Sequence, residues 1–233
     1  MDEEYLSKLS LNTPYSGNSL TYIDFLFKTL VDNFNNQNYH FASFALHQLY
    51  MTTTYISCYQ IARIFPDRYK DALLMMSRHG EKRKKLLELE GPFSFAELNE
   101  ADCFHLFEII GLDESYQGKC KSLVRERNNT AHANGNIRFM DGEELFLEEA
   151  DKYIHVIEEL REKLHPYLLA FVGLNLSDII DEEMNEDSLA EYLETTTMQE
   201  LFLSQADIKK ASKFRYDNPM INNAFKRLVA SEA

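Results

Sequence analysis

Arg127, Asn128 and His132 are the residues of this chain whose types and spacing best suit a chemical task; they close the run Arg125-Glu126-Arg127-Asn128-Asn129-Thr130-Ala131-His132. If that run is helical, at about 100° per residue, then Tyr116, Cys120, Leu123, Val124 and Ala131 fall within about 60° of Arg127. Arg127 then lies in the middle of an apolar stripe, where a cation is costly unless paired or functional. Asn128 and His132, one turn apart, share a flank. An imidazole can remove or return a proton near neutrality. A guanidinium offers a fixed fork of donors to phosphoryl oxygens as charge builds on them, and an amide can orient either group. The trio suits a phosphodiester with an internal nucleophile, and RNA carries one in its 2′-hydroxyl. The last turn of a helix favours the cationic form of His132, which suits a general acid. The plainer reading of the same residues is a buried Arg paired with a carboxylate, beside a His that caps a helix end.

Arg127-Asn128-Asn129-Thr130-Ala131-His132 resembles the R-N-x-x-x-H signature of the HEPN superfamily, all-α domains found in prokaryotic toxins and antiviral effectors. Upstream, Ala42-Ser43-Phe44-Ala45-Leu46-His47-Gln48 is similar to the early helix of many HEPN domains, with Tyr50-Met51-Thr52 where many relatives carry a Glu-Lys pair. The resemblance spans residues 19–172 and implies a metal-independent endoribonuclease that uses Arg127, Asn128 and His132 without a cofactor. It also implies a homodimer, because one His cannot easily be acid and base at once and HEPN ribonucleases face two motifs into one cleft. A toxin or antiviral role comes from the family alone. Many HEPN-like domains are instead non-catalytic dimerisation, interaction or regulatory modules, and that is the alternative function.

Charge and composition bound these readings. The formal charge is −14, which slows encounter with a polyanion without excluding a local phosphate site. Residues 63–127 hold 12 Lys/Arg against 12 Asp/Glu, whereas residues 141–200 hold 3 against 18. The basic run that includes Arg78, Lys82, Arg83 and Lys84, with Lys121 and Arg125 beside the motif, supplies the candidate RNA contacts. The plainer reading of that run is the solvated face of a helix. Residues 174–200 carry no Lys or Arg, so this acidic segment is expected to bind a basic protein partner or to shield the site. Cys58, Cys103 and Cys120 form no C-x-x-C pair, which points to neither a disulfide framework nor a zinc site. His155 and Glu159 share a helix face as half a metal site would, but no second cluster matches them, so no metal is expected. No charged-then-apolar leader and no apolar run of membrane-spanning length are present, and a cytoplasmic protein is expected. Phosphate-loop, dinucleotide-binding, serine-hydrolase and zinc-protease motifs are absent.

The elements that must position the motif all read as helices. Eight Gly and five Pro in 233 residues suit long helices better than strands and turns. Leu20, Ile23, Phe27, Leu30 and Phe34 step by three and four after Ser19, a candidate N-cap. Residues 38–65 are apolar nearly all round, which predicts a central buried helix. Two short helices follow Gly91-Pro92, and the motif helix runs from Glu114 to about Ala133. From Gly142, a seam of Phe146, Ala150, Tyr153, Ile157, Leu160, Leu164, Tyr167 and Phe171 fits a helix packed in a bundle or on a partner copy, with a kink expected at Pro166. Helices at Leu176–Met184, Ser188–Ser204 and Pro219–Val229 complete the reading, with 136–140 as one short strand candidate. The expected architecture is all-α: an up-and-down helical bundle over 19–172 and a helical C-terminal extension over 173–233, acidic then basic.

Overall fold

Helix α1 (Gly17–Asn35) buries Ile23, Leu26, Leu30 and Phe34 along one stripe and leaves Phe25 in solvent. The computed structural model describes Lys8 and residues 17–76, 80–131, 142–180 and 184–231, and every regular element among them is a helix. A short turn with Gln37 in the left-handed region (φ 60°) returns the chain into α2 (Tyr39–Ile64), which packs along α1. As the sequence predicts, α2 is buried on nearly every face, polar positions included.

Pro66 opens α3 (Pro66–Met76), where its fixed φ suits a first helical turn and its missing N–H is no loss. Helix α4 (Gly80–Leu87) folds back on α3, and the Tyr69 hydroxyl donates to the Leu86 carbonyl at 2.7 Å. A 3₁₀ turn (Pro92–Glu97), the short α5 (Glu100–Cys103) and a second 3₁₀ turn (Phe104–Ile110) press Phe95, Phe104 and Phe107 into the core. Gly111, at φ 83°, reverses the chain into α6 (Glu114–Ala131). The next described helix, α7 (Glu143–Ile179), runs antiparallel to α6: Tyr116 donates to the Val156 carbonyl, Lys119 pairs with Glu159, and Lys152 approaches Glu126. The strand candidate at 136–140 and the end of the motif helix beyond Ala131 lie outside the described residues.

One expectation about α7 is met in its bundle form, and one needs correction. Phe146, Ala150, Tyr153, Ile157, Leu160 and Leu164 are all buried within the chain's own bundle, while Tyr167 is 43% exposed. The seam therefore leaves no continuous apolar surface for a second copy. Nor does the helix stop at Gly173: it continues through Pro166 and Gly173 to Ile179, absorbing the start of the helix expected from Leu176. Gly173 serves a close approach here, since a Cβ on it would stand 2.7 Å from Cδ1 of Tyr216.

The core changes identity along α7. Residues up to Leu164 belong to the bundle core, whereas Leu168, Leu169, Val172 and Leu176 belong to a second cluster with the C-terminal helices. Those are α8 (Glu186–Tyr192), which passes through a π-helical turn (Leu193–Thr197) into α9 (Met198–Glu200), then α10 (Gln205–Ala211) and α11 (Pro219–Ser231). Helix α10, set by a Ser204–Asp207 capping box, is an element the hydrophobic spacing did not predict. On the acidic α8, Glu186 accepts from Asn223 at 2.7 Å and lies 3.3 Å from Arg227, with Asp187 also paired to Arg227, so α8 packs on α11.

In an open helix, Gly→Ala stabilises by about 1 kcal/mol. At Gly173 the sign should invert, because the Tyr216 ring is buried and stacked on Phe225. Gly173→Ala should cost about 1–3 kcal/mol by overpacking, read as a lower thermal midpoint. In a Tyr216→Leu background the same change should be neutral or stabilising.

Candidate functional site

Four helices bring six polar side chains together near the end of α6. Ser43 and His47 lie one turn apart on α2, Glu149 and Tyr153 one turn apart on α7, and these two helices run side by side in the same direction. The Ser43 hydroxyl lies 3.1 Å from both carboxylate oxygens of Glu149. His47, fully buried, has Nδ1 3.0 Å from the Tyr153 hydroxyl and Nε2 3.2 Å from Glu100 Oε2 on α5. The same Glu100 oxygen accepts from Nη2 of Arg127 on α6.

The hydrogen-bond pattern assigns the ring protons. An ionised Glu100 can only accept, so His47 carries its proton on Nε2 and its Nδ1 accepts from Tyr153. Burial pushes the His47 pKa down, against the upward pull of Glu100, so the imidazole is neutral at pH 7. Burial alone would raise the Glu100 carboxyl, but the hydrogen bond from His47 and the charge of Arg127 outweigh it and hold the group below its ordinary value. Burial likewise raises the Tyr153 phenol.

Of the residues that the sequence singled out, the structure places Arg127 within the buried stripe of α6, flanked by buried Tyr116, Cys120, Leu123 and Val124, with 18% of its side chain exposed. Its partner is a carboxylate, as in the plainer of the two sequence readings. Asn128 is half-buried beside it. His132 and Arg78 lie outside the described residues. Arg125 is exposed on α6, and Lys121 Nζ lies 3.4 Å from His105 Nε2. Lys82, Arg83 and Lys84 sit on α4, which packs against α3 and the Pro92–Glu97 turn, whereas α6 packs against α2, α5 and α7. The two halves of the expected RNA surface thus hang on different neighbours.

Sequence reasoning missed Glu100 and Glu149, saw Tyr153 only as part of an apolar seam, and met His47 only within the segment similar to an early HEPN helix. The spacing of four at Ser43/His47, two polar residues on a helix apolar nearly all round, was a usable signal, and Glu149 lies one turn before the seam residue Tyr153. Glu100 gave none, being one of two acidic residues in a four-residue helix between two 3₁₀ turns.

Chemically, the cluster fixes a guanidinium at the surface end of a buried relay. His47 has no exposure and both its nitrogens engaged, so it positions Glu100 and does not meet solvent. Among the described residues, no group of three or more His, Cys, Asp or Glu side chains could hold a metal ion, and no helix is long and apolar enough to cross a membrane. The fold and site define an all-α bundle with a half-buried Arg127–Glu100 pair backed by the buried His47 at one end. No protein-family model, curated protein or solved structure matches the chain.

Two outcomes follow from the relay. Removing one partner of a buried ion pair leaves the other charge uncompensated. With Arg127 partly exposed, Glu100→Ala should cost about 2–3 kcal/mol, and Glu100→Ala with Arg127→Ala should cost less than the sum of the two single changes; urea unfolding of all four proteins measures this. His47, neutral when folded and with its pKa below the ordinary value of about 6.5, contributes stability that is complete above that value. That contribution is lost as pH falls below it, because the unfolded chain then binds the extra proton. Urea midpoints should drop between pH 7 and pH 5, and drop less in His47→Gln.

Proposed function

We propose that this chain is a HEPN-type, metal-independent endoribonuclease. Arg127 braces the scissile phosphate, Asn128 orients the phosphate or the imidazole, and His132 moves the proton between the 2′-hydroxyl and the leaving 5′-oxygen. The observation that carries this reading is the one-handed pairing of Arg127. Glu100 engages Nη2, the buried Nε has no hydrogen-bond partner among the described residues, and the side chain stays partly open to solvent. A structural Arg–carboxylate pair is commonly two-pronged, and buried donors are ordinarily filled. A guanidinium held firmly by one nitrogen is oriented without being used up. As charge gathers on phosphoryl oxygens in the transition state, such a preset donor stabilises it without reorganising. A toxin or antiviral effector role, and action on cytoplasmic RNA, belong to this reading.

The second copy that this chemistry calls for would have to meet the first away from the α7 seam and the α6 stripe, both of which are buried in the single chain. The residues bearing on the RNA would be Arg125 and Lys121 on α6, with Lys82, Arg83 and Lys84 of α4 and Arg78 as a second, separate group.

One observation favours the non-catalytic reading, a HEPN-like interaction or regulatory module. Glu100 and Glu149 bring two carboxylates to the cluster against one guanidinium, and a phosphate entering there meets like charge.

A single assay separates them. Purified protein should cleave single-stranded RNA in excess EDTA and leave DNA of the same sequence intact. Arg127→Ala and His132→Ala should each slow cleavage by about 100-fold or more, as loss of a charge-stabilising or proton-transfer group does. Cleavage that survives both changes, or that EDTA abolishes, would overturn the ribonuclease. Absence of cleavage by folded protein would leave the interaction module.

A further inference from the structure

The junction between the bundle and the C-terminal helices buries three charged or titratable side chains, Asp207, Arg161 and His165, beside an exposed Lys210. Asp207, fully buried, is the third residue of α10; its Oδ2 accepts the Ser204 backbone N–H at 2.7 Å and the Ser204 hydroxyl at 2.8 Å. Its Oδ1 faces α7, where it pairs with Arg161 and lies 2.6 Å from His165 Nε2, a close approach not aligned as a hydrogen bond. Arg161 donates to Gln60 Oε1 on α2 at 2.7 Å, and Gln60 Nε2 donates to the Leu201 carbonyl at 2.8 Å. On the far side of the imidazole, Lys210 Nζ on α10 stands 2.6 Å from His165 Nδ1. A Lys ammonium has only donors, so Nδ1 must be a bare acceptor and the ring proton must sit on Nε2, toward Asp207.

We propose that His165 is a proton-operated release for the C-terminal helices. Uptake of a solvent proton at Nδ1 sets an N–H against the Lys210 ammonium and leaves three cations around the one carboxylate of Asp207, so α8–α11 undock from α7 in mildly acidic solution. The groups facing His165 are Arg161 and, through Lys210, Glu162 on α7, and Asp207 and Lys210 on α10; α2 contributes only the uncharged Ser57 and Gln60, both through Arg161. With His165 neutral, the two cations are matched by Asp207 and Glu162. With His165 charged, they are not. The undocking is local because the C-terminal helices have their own apolar cluster, whose share of α7 is Leu168, Leu169, Val172 and Leu176. Release uncovers that stripe.

Burial holds the His165 pKa below the ordinary His value, with Arg161 adding to it and Asp207 opposing it. Stability of the junction is therefore complete above pH about 6.5 and is lost as pH falls below that. Asp207 is held far below the carboxylate range, chiefly by Arg161 and His165 against the raising effect of burial, and stays ionised throughout.

Hydrogen exchange of the full chain at pH 7.5, 6.5 and 5.5, corrected for intrinsic rates, reads the release directly. The opening constant for residues 186–231 should rise by up to tenfold per pH unit below 6.5, the limit for one proton, ahead of α2. His165→Gln cannot take up the charge and should flatten that rise. Lys210→Met removes the cation facing Nδ1 and brings the folded-state pKa of His165 back toward the ordinary value, so the rise should level off at a higher pH and reach a smaller total, which serves even if His165→Gln folds poorly. An unchanged opening constant in wild type, an opening constant for α8–α11 no larger than that of α2 at pH 5.5, or a wild-type rise in either variant would each overturn the proposal.

Discussion

Helix α2 is buried on nearly every face yet carries Ser43, His47, Thr52, Thr53, Ser57 and Gln60, and most of the architecture follows from satisfying those groups. A hydroxyl, amide or imidazole taken out of water without a partner costs on the order of 1–3 kcal/mol. Thr52 and Thr53 turn back on the carbonyls of Gln48 and Leu49. The others reach outward and dictate what must stand next to them. Ser43 and His47 require Glu149 and Tyr153 on α7 and Glu100 on α5; Gln60 requires Arg161 on α7 and the carbonyl of Leu201.

This fixes α2 and α7 in register over their shared length. Residue 43 faces 149, residue 47 faces 153, and residue 60 faces 161. A slip by one residue would move every one of these donors off its acceptor, a specificity that apolar packing alone does not impose. Arg127 and Asp207 are attached to opposite ends of this one frame, the first through Glu100 and His47, the second through Arg161 and Gln60. The candidate site and the C-terminal junction are thus two terminations of one buried polar ladder.

What could be read from the sequence tracks what periodicity can encode. The helical class, the buried α2, the start of α6 and the α6 stripe around Arg127 follow from spacings of three and four. The continuation of α7 through Pro166 and Gly173 did not, because a Gly read in isolation looks like a stop. Only the ring of Tyr216, 43 residues away in sequence, shows it to be a contact point. The short α10 escaped for a related reason: it has no periodicity of its own and is held by a single polar residue, Asp207. The candidate site was legible as far as Arg127 and its need for a partner. The partner itself was not, because pairings such as Arg127 with Glu100 are set by tertiary packing and leave no mark on local spacing.

Electrostatics constrain how an RNA could be handled by such a molecule. Several of its exposed cations already face carboxylates: Lys85 with Glu97 at 2.9 Å, Lys119 with Glu159 at 2.8 Å, and Lys152 with Glu126 at 3.9 Å. Pairs of this kind contribute only about 0–1 kcal/mol each, so a phosphate can displace a carboxylate at little cost. The displaced carboxylate stays close by and continues to repel. With a formal charge of −14, long-range attraction cannot supply the encounter, and physiological salt removes most of any repulsion beyond about 8 Å. On the proposed function, recognition would have to come from short-range geometry at Arg127, whose guanidinium is held by Glu100. A rigid donor among acidic neighbours binds a ground-state phosphate poorly and gains most where the phosphoryl charge is greatest, the arrangement in which binding energy appears in the transition state rather than in affinity.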